Sequence, residues 1–439
     1  MKKTTRFLNL VAAAAAAVCM APASAANIVL WDTTNSFGKA PNGAAALFAF
    51  QKAANYWNQT LTNDVTINIQ ISFDSLAAGV LGSTLSYKQD VLISDTYAAL
   101  KANAAQAGAS QLDKIAAANL TPLNANGSLA MRVNQYKDVA NKWGYDTNAG
   151  SVLNSRDGYL NQVLYANQSV VKALGLTGVA GPKGNNQFDA KMSFSSNFAF
   201  DFDPTNGISA GTYDFTAVAV HELGHALGFV SGTDYFDVYG FGKYADQKGP
   251  GADALLNGHA NFDEESIGST LDLFRYGSTV ANGRYQLQWG ANKTAFFSID
   301  GKNPFNKVDT DQETGFFSTG RYTGDGQQAS HWKDNLGYAD SGSPSCIFGT
   351  RAIGIMDPTA GACDMGELTQ NDLAAFDAMG WNTSVDVLGN PTYKASSVDV
   401  FAINGLATAV PEPATYAQLA LGLGVVGFLL RSRRKNEQA

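Results

Sequence analysis

Charge is scarce in this sequence. Only 15% of its 439 residues are Asp, Glu, Lys or Arg, and the formal net charge is −8. The ends are basic. Residues 1–25 hold three basic and no acidic side chains, and residues 411–439 four basic and two acidic, which leaves −13 for the body between them. A body of that sign has no electrostatic footprint for nucleic acid. Cysteine is scarcer, at three. Cys19 lies in an apolar leader. Cys346 and Cys363 remain, and in an oxidising compartment such a pair defaults to a disulfide. No Cys stands between that leader and residue 221. No internal repeat is evident either. Asp201, Asp203 and Asn206, like Asp309, Asp311 and Asp325, lack EF-hand spacing and read as solvated turns. Histidine occurs only four times, and two of the four stand at 221 and 225.

Long apolar runs are confined to the two ends. Lys2, Lys3 and Arg6 precede the apolar stretch Leu8 to Met20, and Ala23-Ser24-Ala25 supplies small residues for cleavage. Residues 1–25 therefore read as a secretory signal, with signal peptidase as a partner. Ala414 to Leu430 is apolar and uncharged, at the short limit for a membrane span, and Arg431, Arg433, Arg434 and Lys435 follow it. Val410-Pro411-Glu412-Pro413 stands just before. This order of motif, span and basic end resembles the PEP-CTERM sorting signal of Gram-negative bacteria. The resemblance implies that an exosortase-type enzyme recognises residues 411–439. Membrane contact is expected only through that tail, and the body is expected at the cell surface or outside the cell.

The whole chain is 45% hydrophobic, enough for a sizeable core. Residues 26–385 are expected to form one domain, split into 26–230 and 231–385, with 386–410 as a linker. Helical spacing over Ala44 to Leu61 offers Leu47, Phe48, Ala54 and Trp57 as core positions. Val65 to Phe73 alternates with period two, as a half-buried strand does. Residues from Tyr87 to about Trp143 look mainly helical, Asn167 to Leu176 reads as a short helix, and Asp189 to Ser195 as a strand. From Gly232 to about Ser330 the chain is rich in Gly, Asn and Asp and reads as irregular. Thr369 caps a final helix ended by Gly380, with Asp372 as its capping-box partner.

Asp214 caps a helix that carries His221-Glu222-Leu223-Gly224-His225. Positions four apart share a helix face, so both imidazoles can address one ion. Glu222 is offset by about 100°. It would sit beside the ion and accept a proton from zinc-bound water. Catalytic zinc usually has three protein ligands plus water. The extended pattern through Gly228 resembles the metzincin metallopeptidases, many of which have a third ligand three residues past the Gly. Here that residue is Ser231, a poor ligand, so the third must come from elsewhere. Ala329-Ser330-His331-Trp332, followed by Gly354-Ile355-Met356-Asp357-Pro358, resembles the leishmanolysin-like metzincins. In those a long insertion precedes the third His, and a Met-containing turn follows. The resemblance implies His331 as the third ligand of Zn2+ and Met356 as a floor beneath it. Asp234 is the runner-up, then Glu265 or Glu264; His259 looks like an exposed turn. A Cys346–Cys363 disulfide brackets the Met segment and could contribute about 3 kcal/mol. The resemblance also implies an α+β zincin fold: a twisted mixed sheet over the active-site helix, an irregular C-terminal part, and the Asp189 to Ser195 strand lying along the cleft as an edge.

The expected function is an exported zinc endopeptidase acting on protein or peptide. The alternatives are a surface or matrix protein with a structural or degenerate zinc site, and a zinc hydrolase of another amide.

Overall fold

The computed structural model describes residues 25–140, 143–179, 187–241, 262–306, 314–334 and 353–411. Residues 1–24 and 412–439, nearly all of the two end signals, lie outside the described residues, as do His259 and Cys346. The architecture is mixed α+β, with several separate sheets.

Period-two alternation builds the main sheet. Ile67, Ile69, Ile71 and Phe73 of the Thr66–Asp74 strand are all buried. That strand pairs in parallel with Asn27–Asp32 on one side and Ala190–Ser195 on the other. Asn27–Asp32 also pairs in parallel with Thr408–Pro411, which forms one edge. The other edge is Gly82–Ser86, and it runs antiparallel to Ala190–Ser195. The strand expected along the cleft is therefore an inner strand. Ala190, Met192 and Phe194 are buried in the core, and Gly82–Ser86 covers the side that the expectation left open.

The Gly43–Thr60 helix packs its buried stripe, Ala46, Ala49, Phe50, Ala53, Ala54 and Trp57, under this sheet. Phe48 is off that stripe and 41% exposed, with its ring 5.6 Å from that of Phe401. It is not the core residue that spacing suggested. The stretch after Tyr87 is only partly helical. Helices Ile93–Ala104 and Gln111–Ala118 are flanked by the strand Lys88–Leu92 and by a hairpin of Met131–Asp138 with Trp143–Asn154.

Two stretches hold more structure than their composition suggests. Within 232–330, the helix Thr233–Phe241 and the sheet of Arg275–Ala281, Arg284–Leu287, Ala295–Phe297 and Phe316–Phe317 surround buried aromatic side chains. Residues 386–410, expected as a linker, carry the strand Lys394–Ser396, the helix Ser397–Ala402 and nearly all of the edge strand Thr408–Pro411 of the main sheet. Val387, Ala395, Val400 and Ala407 are buried, which anchors a segment whose apolar residues are too sparse to show a period.

Candidate metal centre

The helix Phe215–Ala226 begins where the Asp214 carboxylate accepts a hydrogen bond from the Ala217 amide at 2.9 Å. Phe215, Ala219, Val220, Leu223 and Ala226 are buried, so tertiary packing holds the β-branched positions in helical form. The Trp57 indole donates to the Val220 carbonyl at 3.3 Å and ties this helix to the long one. Gly228, at φ 120°, ends the helix in a conformation that favours glycine. The chain then turns back, and the Phe229 carbonyl comes within 2.7 Å of His225 Nδ1.

His331 arrives from 106 residues away, and its segment is held by hydrogen bonds. Asp234 accepts from the Ala329 amide at 2.7 Å, the Ser330 amide at 3.2 Å and the Ser330 hydroxyl at 2.5 Å. The amide of Ser231 donates to Ser330 Oγ at 2.9 Å. The two residues nearest the motif thus serve the loop that carries the third imidazole. Asp234 is not itself in the cluster. Trp332 is fully buried between Phe229 and Phe317, and its indole donates to Asp372 at 2.8 Å.

Asp372 is the residue at which this region converges. Besides Trp332 it accepts from the Thr369 amide at 2.7 Å, the Ile355 amide at 2.8 Å and the Met356 amide at 3.3 Å. The capping-box reading located Asp372 but not this wider role. The turn it holds places Met356, fully buried, against the motif helix. A Cβ on Gly224 would fall 2.3 Å from the Met356 sulfur, so this position needs glycine. The Ile355 carbonyl lies 2.8 Å from His221 Nδ1. Cys363 is disulfide-bonded and donates its amide to Thr212, but Cys346 lies outside the described residues.

His221, His225 and His331 converge in one cluster. Their Nδ1 atoms face the carbonyls of Ile355, Phe229 and Gln328, at 2.8, 2.7 and 3.2 Å. A carbonyl only accepts, so each Nδ1 carries the proton and each Nε2 presents a lone pair. His225 Nε2 lies 3.1 Å from both other Nε2 atoms. These contacts are therefore lone pair against lone pair, which is repulsive unless a cation sits among them. Burial and the neighbouring rings also keep the imidazoles neutral. His221 is held below its ordinary value, His225 down at about 3, and His331 well below. Zinc–nitrogen bonds of about 2.0–2.1 Å in tetrahedral geometry put nitrogens about 3.3 Å apart. The donor set fits such an ion.

Glu222 lies beside the cluster, 6% exposed. Burial pushes its carboxyl up to about 7, and the Thr84 hydroxyl, which donates to Oε2 at 2.6 Å, pulls it back. Thr84 belongs to the edge strand. From the same strand Ser86 donates to the His225 carbonyl at 2.9 Å. A Cβ on Gly82 would fall 2.7 Å from Glu222 Oε1. No sequence pattern marked this strand, because Gly-Ser-Thr-Leu-Ser has neither apolar alternation nor a motif. Strand and cluster line one cleft of about 1080 Å³, together with Lys88, Tyr165, Asp334 and Asp357. Burial and the charge of Asp334 push the Asp357 carboxyl up to about 8. Neither Glu264 nor Glu265 belongs to the histidine cluster or lines the cleft.

The PEP-CTERM protein-sorting motif family matches residues 409–435. No curated protein and no solved structure matches the chain. The chain is thus an exported protein with a C-terminal sorting signal, of the kind on which exosortase-type enzymes act. Among the described residues no helix is long and apolar enough to cross a membrane.

Proposed function

We propose that this protein is an exported zinc-dependent endopeptidase of metzincin-like, leishmanolysin-like type. The observation that carries the reading is the meeting of three neutral imidazoles, lone pairs inward, beside a buried carboxylate in an open cleft. A structural zinc site is closed by four protein ligands, whereas a catalytic one keeps a position open. Three histidines and no fourth ligand among the described residues support the catalytic kind.

His221, His225 and His331 would hold the ion, each oriented by the carbonyl at its Nδ1. Zinc held there would act as a Lewis acid, polarising the scissile carbonyl and lowering the pKa of a water. The Gly82–Ser86 edge offers unpaired main-chain groups to an extended peptide, which would add to the sheet as a further strand. Ser83 and Leu85 point outward, and Thr84 and Ser86 point to the motif helix. Glu222 would take a proton from the attacking water and deliver it to the leaving amine nitrogen. Thr84 holds Oε2, which fixes the carboxylate in the orientation that this transfer uses.

The test is hydrolysis of casein and of quenched peptides, with and without chelator, beside metal analysis. Wild type should bind one zinc per chain and cleave, and chelation should stop cleavage. Glu222→Ala should keep the zinc and lose at least about a thousandfold in kcat, the scale of removing a general base together with its charge. Stoichiometric zinc with no hydrolysis by wild type would favour the structural alternative. Full zinc retention by His331→Ala would remove His331 from the ligand set.

A further inference from the structure

Among the described residues two cationic side chains line the cleft, Arg321 and Lys88, and Lys88 is the one next to the edge strand. It stands two residues past the edge strand Gly82–Ser86, at the start of the strand Lys88–Leu92, and Tyr87 between them bonds to Asp189 and Gln168. Thr84 and Ser86 of the edge strand bond Glu222 and the His225 carbonyl. Lys88 opens the strand that leaves the main sheet to pair with Val163–Asn167, and its side chain lines the same cleft as Thr84, Ser86 and His225. Its ammonium lies 5.5 Å from the centre of the Tyr165 ring. Its charge also reaches His225.

This cation has no ion-pair partner among the described residues. Burial holds the Lys88 ammonium below its ordinary value, and the charges of Asp272 and Asp234 pull it back up. Both carboxylates are committed elsewhere. Asp234 is engaged by Ala329 and Ser330. Asp272 accepts from Ser231 Oγ at 2.5 Å, the Gly232 amide at 2.7 Å and the Ser269 amide at 2.8 Å. Those two carboxylates also face the buried Arg275. The acidic side chains lining the cleft include Asp334 and Asp357, which Thr359 bridges, and they accept from it rather than from Lys88. A half-buried ammonium resting on an aromatic face, in a cleft and without a carboxylate of its own, is a receptor for one.

We propose that Lys88 selects substrates that carry an acidic side chain, Asp or Glu, on the His225 side of the scissile bond. This rests on the proteolytic reading and names the substrate class for it. A peptide extended along Gly82–Ser86 brings alternate side chains to the cleft shared by Thr84, Ser86 and Lys88. The residue that passes Ser86 meets the ammonium. An amide side chain at the same place gains a hydrogen bond but not the charge pair.

The experiment uses the purified mature protein with zinc and a defined peptide library whose cleavage sites are read by mass spectrometry. Wild type should show Asp and Glu enriched at one position within about three residues of the cut. For matched peptides with Glu or Gln there, the kcat/KM ratio should be about ten or more, equivalent to about 1.4 kcal/mol. Lys88→Met should bring that ratio near one, and Lys88→Glu should invert it towards Lys peptides. A second readout needs no turnover: fluorescence anisotropy of the labelled Glu and Gln peptides on Glu222→Ala protein. The Glu peptide should bind about tenfold tighter, and Lys88→Met in that background should erase the difference. Cleavage with a flat profile, or an acidic preference that survives Lys88→Met, would overturn the role of Lys88 and leave the protease reading standing. Cleavage of nothing in the library would overturn both.

Discussion

Thr84 has one hydroxyl proton and two acceptors on Glu222 within reach, the carboxylate oxygen at 2.6 Å and the backbone carbonyl at 3.1 Å. The shorter contact, to the group that carries charge, takes the proton. A hydrogen bond to a charged group is worth about 1.5–3 kcal/mol. Thr84→Val should therefore lower kcat by roughly ten- to a hundredfold while zinc stays at one equivalent per chain, and Thr84→Ser should recover most of the loss. Loss of zinc in the valine variant, or no rescue by serine, would reduce Thr84 to packing. Asp234 acts at one remove from the metal ligands. It fixes the amides beside His331, so Asp234→Asn should weaken zinc binding by roughly tenfold or more, as loss of an outer support does. Competition with a chromophoric chelator measures this. An unchanged affinity would show that the His331 loop holds its place without it.

The helix that carries the motif gives a test at the scale of an element. Burial raises the Asp214 carboxyl at its N-cap to about 6, against about 3.9 in an unfolded chain. Between those values the folded chain holds the extra proton. The Asp214 contribution to stability is therefore full below about pH 4, falls as pH rises to about 6, and is level above. At about 1.4 kcal/mol per unit the fall is about 2–3 kcal/mol. Asp214→Asn does not titrate. Relative to wild type it should gain that amount between pH 4 and pH 7, measured by denaturant unfolding of chelated protein. A difference independent of pH would contradict the raised value. Local signals made this helix readable: a cap, an unbroken apolar run, and two histidines at i and i+4. The Thr66–Asp74 strand was readable for the same kind of reason, since four alternate apolar residues lie within it. The edge strand was not. A strand of small polar residues is defined by the neighbour it pairs with, and the inner strand Ala190–Ser195 carried the visible pattern instead. His331 could be nominated through a resemblance, but its support by Asp234 joins segments 95 residues apart, beyond any local spacing.

At the scale of the whole molecule, the main sheet has two edges with different fates. One edge, Gly82–Ser86, faces the cleft. The other is Thr408–Pro411, paired with the first strand of the body. The sorting-motif match begins at residue 409, so its first residues are already part of the sheet. That explains why residues 386–410 fold although they lack a clear pattern: Lys394–Ser396 pairs with Glu367–Thr369, and the partners of Thr408–Pro411 lie in the first strand, at the opposite end of the sequence. Asn55 and Gln59 donate to the Asn404 carbonyl, and Gln51 to that of Ala407, fixing the approach to the strand. A sorting enzyme that cuts beyond Pro411 would leave this sheet whole, whereas a cut before Thr408 would uncover the first strand. A chain ended after Pro411 should keep its unfolding free energy within about 0.5 kcal/mol, the range of a neutral surface change. A chain ended after Ala407 loses four paired residues and, at about 1 kcal/mol per net hydrogen bond, should lose about 2–4 kcal/mol. It also exposes an unpaired edge prone to association. Denaturant unfolding with light scattering compares the two. Equal stability would mean that the last strand contributes nothing to the body, and that the sorting tail begins earlier than the sheet implies.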